Sequence, residues 1–358
     1  MAYQSGYLPK PGAEELEHFE QAYTRKGFFG TFAWLYKTED PGRVTKADDE
    51  LLPKHLDLRK LEPPDLREAA GLPVRVLSSE DVALHVTRRS AAMPFCWRNA
   101  DADELHFVHR GSCRFETEFG ALTANAGDFV YLGRNVVYRM LPESDDLLAF
   151  ILETRELLET AEAFHRARGL INAGIDARAM IAPEIGEIRG AKQSEYEVKT
   201  KVCGRIHSAY FDYDPVGVTV GWAGDPIVFK MSAWAVPVAR SPFPPPSSAA
   251  FLTPEGEDCV VGVRRAAIGR VGAPGHSNDW DELWFLHSAT REGVADHTGL
   301  LRWDPQGISQ TGSRYTHPKD LSTPPDMQHL NINIDVKRRL VLSEAAASVL
   351  VPAVELDP

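Results

Sequence analysis

Asp101-Ala-Asp-Glu-Leu-His-Phe-Val-His109 and Asp279-Trp-Asp-Glu-Leu-Trp-Phe-Leu-His287 are one nine-residue pattern written twice, each position displaced by 178, with six residues identical. A repeat at a fixed offset is the mark of a duplicated structural unit. The likeness extends backward, where Glu80-Asp-Val-Ala-Leu-His-Val-Thr-Arg-Arg89 matches Glu257-Asp-Cys-Val-Val-Gly-Val-Arg-Arg265 with one residue deleted. It extends forward to Gly120 and Gly133, which correspond to Gly299 and Gly312. Runs such as Asp128-Phe-Val-Tyr-Leu, Ile227-Val-Phe-Lys-Met and Asp258-Cys-Val-Val-Gly-Val are rich in branched and aromatic residues. Gly, Pro, Asn and Asp punctuate the intervals, so short strands and turns are expected and the class reads as all-β.

The proline-rich stretch Ser241-Pro-Phe-Pro-Pro-Pro-Ser-Ser reads as a stiff connector. It places a boundary between residues 1–240 and 241–358. Two helices are expected at the periphery. One spans Ala13 to Lys26, where Leu16, Phe19, Ala22 and Tyr23 recur at helical spacing; the other spans Glu156 to Ala167.

The chain has 358 residues, 39 basic against 51 acidic, for a formal charge of -12. The basic residues form no long block, so nucleic acid is not an expected partner. No uninterrupted apolar run approaches the length of a bilayer span, and no membrane association is expected. The first residues lack the basic-then-apolar pattern of a secretory signal, so a cytoplasmic location is expected. Cys96, Cys113, Cys203 and Cys259 are scattered without a CxxC pair and read as small buried apolar residues.

Comparing the two copies separates chemistry from architecture. In the second copy His276 precedes Glu282 by six, and His317 follows in the next repeated block. Two imidazoles and one carboxylate form a facial ligand set, suited to Fe(II) and also acceptable to manganese or zinc. In the first copy the same positions hold Arg98, Glu104 and Tyr138. That half lacks both imidazoles, and an Arg98–Glu104 ion pair is expected in place of a metal. His287 has its counterpart in His109 and reads as architectural, whereas His297 reads as a turn residue and His329 as a candidate partner of a ligand. Trp280, Trp284 and Trp303 read either as walls of an aromatic pocket or as core.

The segment Gly275-His276-Ser277-Asn278-Asp279-Trp280-Asp281-Glu282 resembles the first motif of the cupins, with Asn278 at the second histidine position. His-x-Asn-x-x-x-Glu followed by Thr316-His317-Pro318 is similar to the homogentisate 1,2-dioxygenase family. So are Asn99-Ala-Asp-Ala-Asp-Glu104, Thr117-Glu-Phe-Gly120 and Gly169-Leu-Ile-Asn-Ala173, and the resemblance covers about residues 75 to 320. It implies a bicupin of two jelly-roll barrels that uses Fe(II) and O2 to open the ring of a hydroquinone-type or aminophenol-type aromatic. His276, Glu282 and His317 would be the ligands, with Asn278 beside the metal. Arg314 and Tyr315, just before His317, are candidates to hold a substrate carboxylate or hydroxyl. Relatives assemble into oligomers, so a homo-oligomer is expected. Two other readings accept the same residues: an O2-independent isomerase or hydrolase, and a ligand-binding bicupin without catalysis.

Overall fold

The computed structural model describes residues 19–24, 32–39, 45–160, 179–236, 247–253, 258–265, 275–277, 279–288, 298–305 and 330–351. Strands dominate them, and the α-helices among them are two single turns, Pro64–Arg67 and Glu344–Ala347. Both repeats fall on strands at the centre of a sheet. Asp103–Arg110 lies within a seven-stranded sheet ordered Val228–Ser232, Asp128–Leu132, Asp103–Arg110, Leu148–Thr154, Val82–Thr87, Val74–Ser78, Val341–Leu342. Asp281–Ser288 lies within an eight-stranded sheet, between Leu330–Val336 and Leu300–Asp304.

Period-two alternation gives each central strand two faces of different character. Leu105 and Phe107 on one strand, and Leu283 and Phe285 on the other, point into a single shared core with Phe129, Phe150, Phe251, Ile332 and Ile334. The two large sheets therefore bury their outer faces against each other. The contact is reciprocal: Phe107 meets His287 edge-on with ring centres 5.0 Å apart, and Phe285 meets His109 edge-on at 5.0 Å. On the axis between them His109 Nδ1 and His287 Nδ1 are 3.0 Å apart. Residues 178 positions apart touch each other, which is what a local two-fold axis produces.

In the first half, a second sheet of six strands, ordered Arg205–Phe211, Tyr196–Val202, Cys96–Asn99, Val137–Pro142, Ser112–Thr117, Gly120–Asn125, closes over the inner face. Trp97, Val108, Phe115, Val130, Leu132, Tyr138 and Met140 fill the space between the sheets. The ends of the chain cross between the halves. Lys54–Asp57 joins the eight-stranded sheet beside Leu300–Asp304, while Val341–Leu342 joins the seven-stranded sheet beside Val74–Ser78.

The repeated acid just before each central glutamate has the same task in both copies. Asp103 accepts hydrogen bonds from Tyr131 and the Leu158 backbone. Asp281 accepts them from Trp303 and the Leu340 backbone.

Neither expected helix is present where the residues are described. Phe19–Thr24 is a strand, antiparallel to Phe32–Lys37 and parallel to Gly275–Ser277. Tertiary pairing of a Phe, Tyr and Thr segment overrides its helical spacing. Likewise Glu159–Thr160 pairs with Phe251 and Leu252, and residues 161–167 lie outside the described set. The connector at 241–246 also lies outside it. Cys96, Cys113 and Cys259 are buried as expected, but Cys203 is exposed at the turn of the hairpin Tyr196–Val202 and Arg205–Phe211.

Candidate active site

Glu282 sits on Asp281–Ser288 with its side chain on the inner face, away from the shared core, and it is fully buried. Directly opposed residues in antiparallel strands share a face. Glu282 is opposite Asp304 on one side and Asp335 on the other; Trp284 is opposite Arg302 and Asn333; Asn331 lies between Leu286 and Arg264. This face is therefore polar where the outer one is aliphatic and aromatic. Asn333 Nδ2 donates to Glu282 Oε1 at 3.1 Å, orienting the carboxylate. Asp335 is 1% exposed. Burial, reinforced by the negative charge of Glu282, raises its pKa well above the usual carboxylate range.

Several polar atoms on this face have no partner. Asp335 Oδ1, Asn331 Oδ1 and both ring nitrogens of His55 are buried and unbonded. Burial, with Arg302 nearby, lowers the His55 pKa to about 4. Arg302 is committed to Asp304 at 3.0 Å. Arg264, Trp284, Arg302 and Asn331 are each partly exposed although their strand neighbours are buried, so this part of the inner face is reached by solvent.

The equivalent position of the first half is closed. Glu104 accepts from Trp97 Nε1 at 3.0 Å, Asn99 Nδ2 at 2.9 Å and the Tyr138 hydroxyl at 2.6 Å, with His106 Nε2 at 3.2 Å. Burial alone would raise its pKa; His106 and the donors Tyr138 and Trp97 more than offset that and hold it down. Burial and the adjacent Glu104 raise the Tyr138 pKa, which keeps its proton in the hydrogen bond. Glu153, the counterpart of Asp335, is bound by Asn99 and Lys201. The expected Arg98–Glu104 ion pair is not formed. Trp97 and Asn99 share the face that meets Glu104, and strand alternation places Arg98 on the other.

Of the residues singled out from the sequence, Glu282 is fully described. His276 lies on the strand Gly275–Ser277, parallel to Phe19–Thr24, and its side chain is outside the described residues. Asn278, His297, Arg314, Tyr315, His317 and His329 are outside them as well. His287 is architectural, packed on the axis against His109. Trp284 is on the inner face, whereas Trp303 belongs to the shared core and Trp280 packs with Ala249, Leu252 and Val260. Asp335 and Asn333 were missed because their strand carries no motif, and Arg264 because the repeat that contains it was read only as a sign of duplication. Their only signal was polar residues at alternate positions of an otherwise apolar strand.

Among the described residues no three metal-ligating side chains are gathered, and Glu282 is the part of the expected donor set that the described residues show. Two buried carboxylates, Glu282 and Asp335, face one space and repel each other, and a cation at Glu282 would relieve both.

Paired sheets, an inward glutamate at the centre of each half and a local two-fold axis define an all-β bicupin of the cupin class. Residues 69–232 match the family model described as homogentisate 1,2-dioxygenase N-terminal. A provisionally named dioxygenase from Saccharolobus solfataricus is 22% identical over 259 residues, covering 68% of this chain and 65% of that protein. Among solved structures, the protein Ylba from E. coli is 9% identical, covering 84% of this chain and 98% of that one at a TM-score of 0.39. A cupin 2 conserved barrel domain protein from Leptotrichia buccalis is 9% identical, covering 74% and 88% at a TM-score of 0.36. These matches support a likeness to the homogentisate dioxygenase-like cupins, carried by a little under half of the chain. No helix among the described residues is long and apolar enough to cross a membrane.

Proposed function

We propose that the protein is a non-haem Fe(II) dioxygenase that opens the ring of a hydroquinone-type or aminophenol-type aromatic, placing both atoms of O2 in the product. One observation carries this reading: the two halves share a buried inward glutamate, which the first half surrounds with Trp97, Asn99 and Tyr138 as donors, whereas in the second the residues beside it on the same polar face, Arg264, Trp284, Arg302 and Asn331, stay partly exposed. His276, Glu282 and His317 would hold the metal, with Asn278 beside it and Arg314 and Tyr315 toward the substrate. Bound there, Fe(II) would supply adjacent positions for a ring hydroxyl and for O2. The protein's own contribution is placement. Asn333 fixes the Glu282 carboxylate, and the aliphatic outer face excludes water from behind.

The substrate within this class stays open, since Ser241 to Phe251 carries no histidine ahead of the ligand segment. The test is oxygen uptake by Fe(II)-reconstituted protein with homogentisate, gentisate, hydroquinone and 3-hydroxyanthranilate. Uptake with one of them, lost in His276→Ala, is the expected outcome. Iron bound stoichiometrically without uptake on any ring would instead favour the oxygen-independent reading.

A further inference from the structure

The inner face of the second half holds an arginine, Arg264, that has no hydrogen bond or ion pair among the described residues, although the charge of Glu282 acts on it. Arg264 lies on Cys259–Arg265, opposite Asn331 and on the same face as Glu282 and Trp284. Its guanidinium lies 5.1 Å from the centre of the Trp284 ring. Among the described residues no hydrogen bond or ion pair engages it, in contrast to Arg302, which is bound to Asp304. A buried cation normally has a hydrogen-bonding partner, so a partly exposed guanidinium whose only described anionic neighbour is Glu282, with no hydrogen bond to it, is set for a ligand. A guanidinium lying against an aromatic face leaves its in-plane N–H fork free, and that fork matches a carboxylate.

The first half serves as an internal control. Following the strand register, the position of Arg264 is occupied there by Thr87 and that of Trp284 by His106. Thr87 is fully buried and bound to Asp65, and His106 is bound to Glu104. The arginine–tryptophan pair thus occurs only in the second half.

We infer that Arg264 is a specificity-determining residue that clamps the anionic substituent of an aromatic ligand, with Trp284 positioning its guanidinium. This rests on the ring-cleavage reading for the identity of the ring, though not for the anion site itself. The clamp sets which aromatics are accepted: those with a carboxylate on the ring or one methylene away.

Anaerobic calorimetric titration of the iron-loaded full chain tests it with two matched pairs, homogentisate against methylhydroquinone and gentisate against hydroquinone, plus phenylacetate. At least one acid should bind about tenfold or more tighter than its neutral partner, as a charge-assisted pair implies. In Arg264→Met that preference should vanish while the neutral ligands and the iron content are unchanged. Arg264→Lys should keep part of it, and Trp284→Leu should weaken the acids alone. Equal binding of acid and neutral partner in the wild type, which depends on no variant folding, overturns the inference, as does a preference that survives Arg264→Met. Hydroquinones bound without acid preference would remove the clamp and leave ring cleavage standing. Phenylacetate held through Arg264 with neither hydroquinone bound would keep the clamp and remove ring cleavage.

Discussion

Tyr138 and Glu104 show what a single position decides. The first half retains the buried glutamate and surrounds it with hydrogen-bond donors, so the carboxylate is satisfied by the protein itself. Tyr138→Phe withdraws one donor from a buried charge and is expected to cost about 1–3 kcal/mol of stability. Urea denaturation measures that loss, and iron per chain should not change, because Tyr138 is remote from Glu282 in function as in sequence. The glutamates were legible from the repeat alone, since both fall on the same letter of the nine-residue pattern. The partner of Glu104 was not. Residue spacing pointed to Arg98, but which of two adjacent residues faces inward depends on where the strand begins, and here Trp97 and Asn99 face in.

At the scale of elements, one repeated pair of glycines, Gly120 and Gly299, turns out to be required by geometry. Gly120 has φ +113 and Gly299 φ +85, both in the left-handed region. A Cβ on Gly120 would lie 2.5 Å from the Glu184 carbonyl oxygen, and one on Gly299 would lie 2.8 Å from Arg59 Cγ. Gly120→Ala therefore combines backbone strain with a contact that backbone cannot yield, and a loss of about 1–3 kcal/mol is expected in thermal or chemical unfolding. Gly299→Ala should be milder, because an arginine side chain can move. The turns and central strands were readable because glycine and alternation report local conformation. The strand Phe19–Thr24 was misread as helix because its conformation comes from Phe32–Lys37 and Gly275–Ser277, far away in sequence. The hairpin Tyr196–Val202 and Arg205–Phe211 was passed over, although Cys203 and Gly204, both at positive φ, form the two-residue turn such hairpins use.

For the whole molecule, the shared core and the exchanged strands bind the halves into one unit, and three histidines make that unit sensitive to acid. Burial lowers the pKa of His109 to about 3, with His287, Arg110 and Arg59 adding to it, and burial lowers that of His287 to about 4. His55 is lowered to about 4. All three are neutral when folded, while the unfolded chain takes up protons as pH falls below about 6.5. Stability is therefore full above that pH and declines toward pH 4, at up to about 1.4 kcal/mol per pH unit for each histidine. Unfolding midpoints at pH 7, 6 and 5 check the slope, and His287→Gln should make it shallower. A duplicated unit was visible in the sequence; that the copies meet about an axis through His109 and His287 was not, because a repeat gives the period of a pattern and not the face on which copies dock.

That meeting point has one more implication. Two neutral imidazoles joined through their Nδ1 atoms share a single hydrogen, so one ring must carry its proton on Nδ1 and the other on Nε2. The same residue at the same place in each copy is thus compelled to adopt opposite tautomers. However faithfully the repeat was duplicated, its symmetry ends at the axis, in the placement of one proton.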